Sequence, residues 1–190
     1  MRIIAGKGKG KRLKTVSGLQ VRPTTDRVKE SVFQVIGPYF DGGWALDLFA
    51  GSGSLGVEAL SRGVDRVVFI DQSGSSVRTI HENLRETGFE SQAEVYRRDA
   101  RAALRSLSKR ELVFQYIFLD PPYREPILAE VLQRIGESGL LEPSGTVVAE
   151  HAADTPLLSS YGNLNNVRSL EFGDTVVDLY RLGNHGDGEV

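Results

Sequence analysis

The chain has 190 residues, a formal net charge of -2, 40% hydrophobic and 25% charged side chains. That is length for one sheet-centred domain and composition for a folded one, which excludes disorder and a two-domain enzyme. No apolar run approaches the roughly 18 to 20 residues of a membrane span, and the start lacks a signal peptide's apolar stretch, so a cytosolic protein with no membrane partner, monomeric by default, is expected. Zero cysteines remove disulfides, thiolate metal sites and every thiolate nucleophile. His81, His151 and His185 share no metal-ligand spacing, so no metal is expected.

Charge is segregated along the chain. Residues 1–30 hold nine basic side chains (Arg2, Lys7, Lys9, Lys11, Arg12, Lys14, Arg22, Arg27, Lys29) against Asp26 and Glu30, a balance of +7, which leaves -9 on the other 160 residues. A basic arm on an acidic body reads as a contact for a polyanion. Arg2 to Ala5 and Lys11 to Lys14 flank a glycine-rich turn, so residues 1–22 are read as a hairpin arm separable from the cofactor-binding body. Pro23-Thr24-Thr25-Asp26 carries helix-start chemistry, and Val28, Val32, Val35 and Ile36 follow at helical spacing before Gly37-Pro38.

From Trp44 onward, short apolar runs alternate with helical periods. Strands are predicted at 44–49, 66–70, 93–96, 113–119 and 145–150, with helices near 54–62, 74–87, 100–108 and 126–135, the last with Pro126 in its first turn. Such alternation predicts a parallel sheet covered on both faces. Residues 167–172 and 175–181 are separated only by Gly173-Asp174, which predicts a C-terminal antiparallel hairpin. Residues 23–182 thus form the body, and 183–190, with no apolar anchor, a disordered tail.

Two segments carry chemistry. The first is Leu46-Asp47-Leu48-Phe49-Ala50-Gly51-Ser52-Gly53-Ser54-Leu55-Gly56, an apolar strand running into a glycine turn and then a helix. Glycines there let a cofactor approach the backbone, and Asp71, 20 residues after Gly51, stands where a carboxylate accepts ribose hydroxyls. The spacing fits a dinucleotide or S-adenosylmethionine. Val57 stands where a phosphate-binding loop needs lysine. Asp47 favours a cationic ligand, a sulfonium with an ammonium, over a pyrophosphate. Asp99, after the third strand, has two compatible roles, adenine contact and helix N-cap.

The second segment is Asp120-Pro121-Pro122-Tyr123, after the apolar strand ending at Leu119. Two prolines stiffen the loop so that the Asp120 carboxylate and the Pro121 carbonyl aim at one amino group, while Tyr123 offers a ring on which a base stacks. An exocyclic amine is a poor nucleophile because its lone pair is delocalised, and two acceptors on its hydrogens favour a pyramidal nitrogen. The absence of cysteine independently removes pyrimidine C5 methylation through a thiolate adduct.

Asp-Pro-Pro-Tyr together with the Asp-x-Phe-Ala-Gly-Ser-Gly loop resembles the class I amino-methyltransferases. More narrowly, Arg2 to Gly6, Arg22 to Glu30, Asp47 to Gly56 with Leu60 to Gly63, and Asp120 to Tyr123 resemble the RsmD-type methyltransferases of bacterial small-subunit ribosomal RNA, over residues 2 to about 182. The resemblance implies transfer of a methyl group from S-adenosylmethionine to the N2 amine of a guanine in 16S ribosomal RNA. It implies a Rossmann-like α/β fold with a mostly parallel seven-stranded sheet, a C-terminal antiparallel hairpin and an N-terminal hairpin extension. Its cofactor contacts fall on Asp47, Phe49, Gly51, Gly53, Asp71 and Asp99, and its catalytic loop on Asp120, Pro121, Pro122 and Tyr123. RNA contacts are assigned to Arg2, Lys7, Lys9, Lys11, Arg12, Lys14, Arg22 and Arg27, with ribosomal RNA or a small-subunit assembly intermediate as partner. Three alternatives compete. An adenine-N6 enzyme would carry a recognition insert for which residues 44–182 leave no room. A nicotinamide oxidoreductase would need a Tyr-x-x-x-Lys pair that no tyrosine provides, and a non-catalytic RNA-binding factor would not keep Asp120 to Tyr123.

Overall fold

The computed structural model describes residues 1–17, 25–122 and 126–183; Arg22, Tyr123 and the expected tail from residue 184 lie outside them. Helix α1 (Asp26–Ile36) begins where the Thr25 hydroxyl accepts from the amide of Val28 at 3.3 Å. Strand β1 (Trp44–Asp47), α2 (Ser54–Ser61), β2 (Arg66–Asp71), α3 (Gly74–Thr87), β3 (Ala93–Arg97), α4 (Ala100–Ser108), β4 (Phe114–Leu119), α5 (Leu128–Ser138) and β5 (Leu141–Ala152) then alternate. Strands β6 (Ser160–Tyr161), β7 (Leu164–Phe172) and β8 (Thr175–Leu182) close the chain.

All eight strands form one sheet in the order β3-β2-β1-β4-β5-β8-β7-β6. The first five are parallel, and β8, β7 and β6 run antiparallel to their neighbours. The sheet has one strand more than the expected seven, because β6 is a two-residue piece without an apolar run to announce it. Strand β5 starts four residues before the expected 145. Leu141 pairs with Phe114, and the register then slips before Thr146 pairs with Tyr116, a bulge that hides the strand's beginning from its periodicity. Helix α5 begins at Leu128, so Pro126 precedes the helix instead of opening its first turn.

Side-chain alternation along the strands sorts the core into two layers. Leu46, Val68, Ile70, Ile117 and Val147 face α4 and α5. Ala45, Val67, Phe69, Phe118 and Val148 face α1, α2 and α3. Each buried aliphatic or aromatic side chain stabilises by about 1.5–3 kcal/mol relative to exposure.

The second layer also takes in Ile3 and Leu13. The N-terminal hairpin, bridged at Arg2 and Arg12, is docked on the body. The amide of Lys7 donates to the carbonyl of Ser61 at 2.9 Å, and the Ser61 hydroxyl donates to Ala5 O at 2.6 Å. Gly6, at φ +86°, lets the turn reach Ser61, whose carbonyl oxygen lies 1.8 Å from where a Cβ would stand.

Strand β1 is the switch point of the sheet: β2 follows on one side and β4 lies on the other. In a doubly wound sheet a crevice opens there, beyond the carboxyl ends of the strands.

Candidate active site

At that crevice lies a cavity of about 500 Å³, within the range of small-ligand sites. Its wall brings together Asp47, Phe49 and Gly51 from the glycine loop, Asp71 from the end of β2, Asp99 before α4, and Asp120 and Pro122 after β4. The register explains the convergence. Asp47 pairs with Phe69 on one side and Phe118 on the other, so Asp71 and Asp120 each stand two residues past a partner of Asp47. Tyr123 lies outside the described residues, and Pro121 is buried beneath the loop.

The glycines divide their labour. Gly51, at φ +56°, has open space where a Cβ would project, so its demand is backbone conformation beside the cavity. Gly53 is the left-handed N-cap of α2 and lies behind the wall, shaping the loop instead of lining the cavity. Gly56 serves packing, since a Cβ there would lie 2.3 Å from the Phe69 ring.

Both carboxylates at the glycine loop are anchored by backbone amides. Asp71 accepts from Gly51 N and from Ser73 N, each at 2.9 Å, which ties the loop to β2 and leaves lone pairs for a ligand. Asp47, 1% exposed, accepts from Gly56 N at 3.0 Å. Burial pushes its carboxyl up to about 7; the Gly56 bond opposes this and the charge of Asp71 adds to it. Two carboxylates beside one cavity, one of them pushed toward protonation by burial, form an acceptor set for a cation with vicinal hydroxyls. A pyrophosphate would meet repulsion there. Asp99 caps α4, its Oδ1 accepting from Arg101 N at 3.0 Å and Ala102 N at 3.3 Å, while also lining the cavity. Among the described residues no group of three or more His, Asp or Glu is arranged to hold a metal ion.

The sequence reading missed part of this wall. Met1, Thr15 and Val16 of the N-terminal segment line the cavity, and two buried residues connect that segment to the glycine loop. Asn83 donates to Lys14 O at 3.0 Å and to Ser52 O at 2.9 Å, and accepts from Lys14 N at 2.8 Å. Lys29, counted in the basic arm, is fully buried, and its ammonium donates to Arg2 O at 2.6 Å and to the hydroxyl of Ser54 at 3.1 Å. Burial holds that ammonium below the ordinary lysine range, against Glu58 and Asp26. Its position one residue after Val28, on the face of Val32 and Phe33, is the sequence signal that could have found it.

Arg2, Lys7, Lys9, Lys11, Arg12, Lys14 and Arg27 belong to the described residues, but the hairpin's cations are not equally available. Lys14 pairs with Glu82 at 3.2 Å and Glu86 at 3.1 Å, and the Lys11 ammonium donates to Thr87 O.

Residues 1–181 match the family described as Conserved hypothetical protein 95. The protein named ribosomal RNA small subunit methyltransferase D of Haemophilus influenzae is 35% identical over 183 residues, covering 96% of this chain and 92% of that one. The chain belongs to the RsmD family. YlbH of Bacillus subtilis, which carries an rRNA methyltransferase name, is 49% identical over 181 residues, 95% of this chain and 98% of its own. Among solved structures, the Escherichia coli protein yhhF, titled a methyltransferase, superposes with a TM-score of 0.81 at 28% identity, covering 96% of this chain and 97% of that one. RsmD family membership thus extends from the docked hairpin into β8, so the arm is as much part of the shared chain as the glycine loop.

Proposed function

We propose that this protein transfers a methyl group from S-adenosylmethionine to the N2 amine of a guanine in small-subunit ribosomal RNA. The observation that carries the reading is the meeting of the Asp120-Pro121-Pro122 loop with Asp47 and Asp71 on one cavity at the switch point. The names of the relatives support an rRNA methyltransferase, and the motif resemblance adds the guanine amine. The cofactor, when bound, supplies an activated methyl on a sulfonium. Asp71 accepts its ribose hydroxyls while holding Gly51 in place. Asp47 offers negative charge to the cationic end, and Phe49 supplies apolar wall. Asp120 accepts a hydrogen bond from the target amine and, with the Pro121 carbonyl, turns the nitrogen lone pair toward the methyl group, an orientation effect on the rate. Tyr123 stacks on the flipped base.

The test is transfer of isotopically labelled methyl groups by the full chain to small-subunit rRNA lacking its methylations, followed by nucleoside mass spectrometry. Labelled N2-methylguanosine is expected. Labelled N6-methyladenosine, or no transfer to RNA or to assembled subunits, would overturn the reading.

A further inference from the structure

The N-terminal arm is not the chain's only concentration of positive charge. Residues 97–110 hold Arg97, Arg98, Arg101, Arg105, Lys109 and Arg110 against Asp99 alone, a balance of +5; everything outside residues 1–30 and this stretch carries -14. The fold places the start of the stretch at the cavity. Arg98 and Arg101 line it, and Arg101, Arg105 and Lys109 follow at intervals of four along α4 and its C-cap, about 6 Å apart, opposite the buried Ala103, Leu104 and Leu107. Across from them, the start of α3 adds Arg78. A Cβ on Gly74 would lie 3.2 Å from Nη1 of Arg97 and 3.6 Å from Nη1 of Arg78, so the two guanidiniums stand side by side.

Glu94 and Glu130 are committed to other members of this bank, to Arg110 at 2.8 Å and to Arg101 at 2.8 Å, while Asp99 caps α4 and Glu82 pairs with Lys14. That leaves the charge of Arg78, Arg97, Arg98, Arg105 and Lys109 in excess. Exposed guanidiniums gathered in this way repel one another, and a row of phosphates relieves the repulsion while matching the guanidinium fork. Met1, Thr15 and Val16 form the other side of the same cavity, and there the arm spends Lys14 on Glu82 and Glu86.

We infer that the α3, β3 and α4 arginines form a second RNA-backbone contact, so that the substrate RNA straddles the cavity between this bank and the N-terminal arm. The inference rests on the rRNA reading above. It is tested in the full chain by substituting Arg78, Arg97, Arg105 and Lys109 together with glutamine, leaving Arg98 and Arg101 because they line the cofactor cavity. Binding to small-subunit rRNA is measured over a range of salt, beside S-adenosylmethionine affinity and Arg168→Gln on exposed β7 as the control.

The expected result is at least tenfold weaker RNA binding at low salt and a log-log salt slope flatter by up to about 0.7 for each phosphate no longer neutralised, with cofactor affinity unchanged. If cofactor affinity falls as well, Arg105→Glu alone decides; it should weaken RNA binding and spare the cofactor. RNA affinity and slope equal to the control, in a background where wild-type protein methylates the RNA, overturn this inference and leave the function standing. Wild-type protein that neither binds nor methylates the RNA overturns the function reading, and the second contact with it.

Discussion

Asp47 and Asp120 sit on the same wall and are expected to fail differently when altered. Asp120→Ala should lower the methyl-transfer rate on the order of a hundredfold or more while leaving cofactor affinity nearly unchanged, because its proposed role is toward the amine. Single-turnover kinetics and calorimetry separate the two effects; a parallel loss of cofactor affinity would move Asp120 into the cofactor site. Asp47 makes a pH-dependent prediction. Its carboxyl is raised to about 7 by burial, so in the ligand-free protein it is largely protonated below that pH and ionised above it. A cation binds the ionised form better. S-adenosylmethionine affinity should therefore rise as pH increases through about 7, with proton release on binding, and Asp47→Asn should flatten that rise. These strand-end carboxylates were legible in the sequence because Asp120 follows an apolar run and Asp47 stands between one and the glycine loop. Lys29 was not, since charge alone suggests solvent and only its helical neighbours reveal the buried face.

At the scale of elements, the docked hairpin changes what can be done to it. A sequence view makes the arm separable from the cofactor body. In the fold, Ile3 and Leu13 belong to the core, and Met1, Thr15 and Val16 to the cavity wall, so truncation would remove the proposed RNA contacts, packing and part of the cavity wall at once. Two glycines offer a cleaner comparison. Gly6 and Gly10 share φ +86°, but the Cβ position at Gly6 meets the Ser61 carbonyl at 1.8 Å, whereas Gly10 faces open space. Gly10→Ala should cost only the left-handed conformation, about 1–2 kcal/mol. Gly6→Ala should cost that and the undocking of the turn, lowering both the urea midpoint and cofactor affinity. Equal costs at the two positions would mean that the docking is energetically idle. The hairpin's docking escaped the sequence because it is written in the Ser61 hydroxyl and carbonyl, an ordinary helix end. The strands and helices of the body, by contrast, carry periodicities long enough to read, and the exceptions are the two-residue β6, the start of α5, and the bulged starts of β5 and of β7, which begins at Leu164 and not at the expected 167.

For the molecule as a whole, stability depends on how the parallel half of the sheet is joined to the antiparallel half, and β5 against β8 is that seam. His151 on β5 and Asp178 on β8 are both buried there, with Nε2 2.6 Å from Asp178 Oδ2 and Nδ1 2.9 Å from Ala152 O. Both ring nitrogens face acceptors, which suits the doubly protonated imidazolium. Burial lowers the pKa of His151, but the Asp178 carboxylate and the backbone at Ala152 and Thr155 outweigh it and the net shift is upward. Burial likewise raises Asp178, and His151, Ser169 and Asn166 outweigh it to hold the carboxyl below its ordinary value. A raised histidine stabilises fully below its unfolded pKa of about 6.5 and loses that contribution as pH rises through the folded value. A depressed aspartate stabilises above about 3.9 and loses that contribution as pH falls through its folded value. The pair is therefore complete between about pH 4 and 6.5. Urea midpoints should fall on going from about pH 6 to about pH 8, and His151→Gln should remove the share of that fall due to the pair. Asp178→Ala should cost about 3 kcal/mol or more at about pH 6, where it strands a buried imidazolium, and less at about pH 8, where the His151 ring is free to lose its proton and the loss is that of the acceptor for Ser169 and Asn166. Wild-type and His151→Gln curves that run parallel across this range would show that His151 titrates alike in the folded and unfolded protein, so that its pairing with Asp178 adds nothing to the seam.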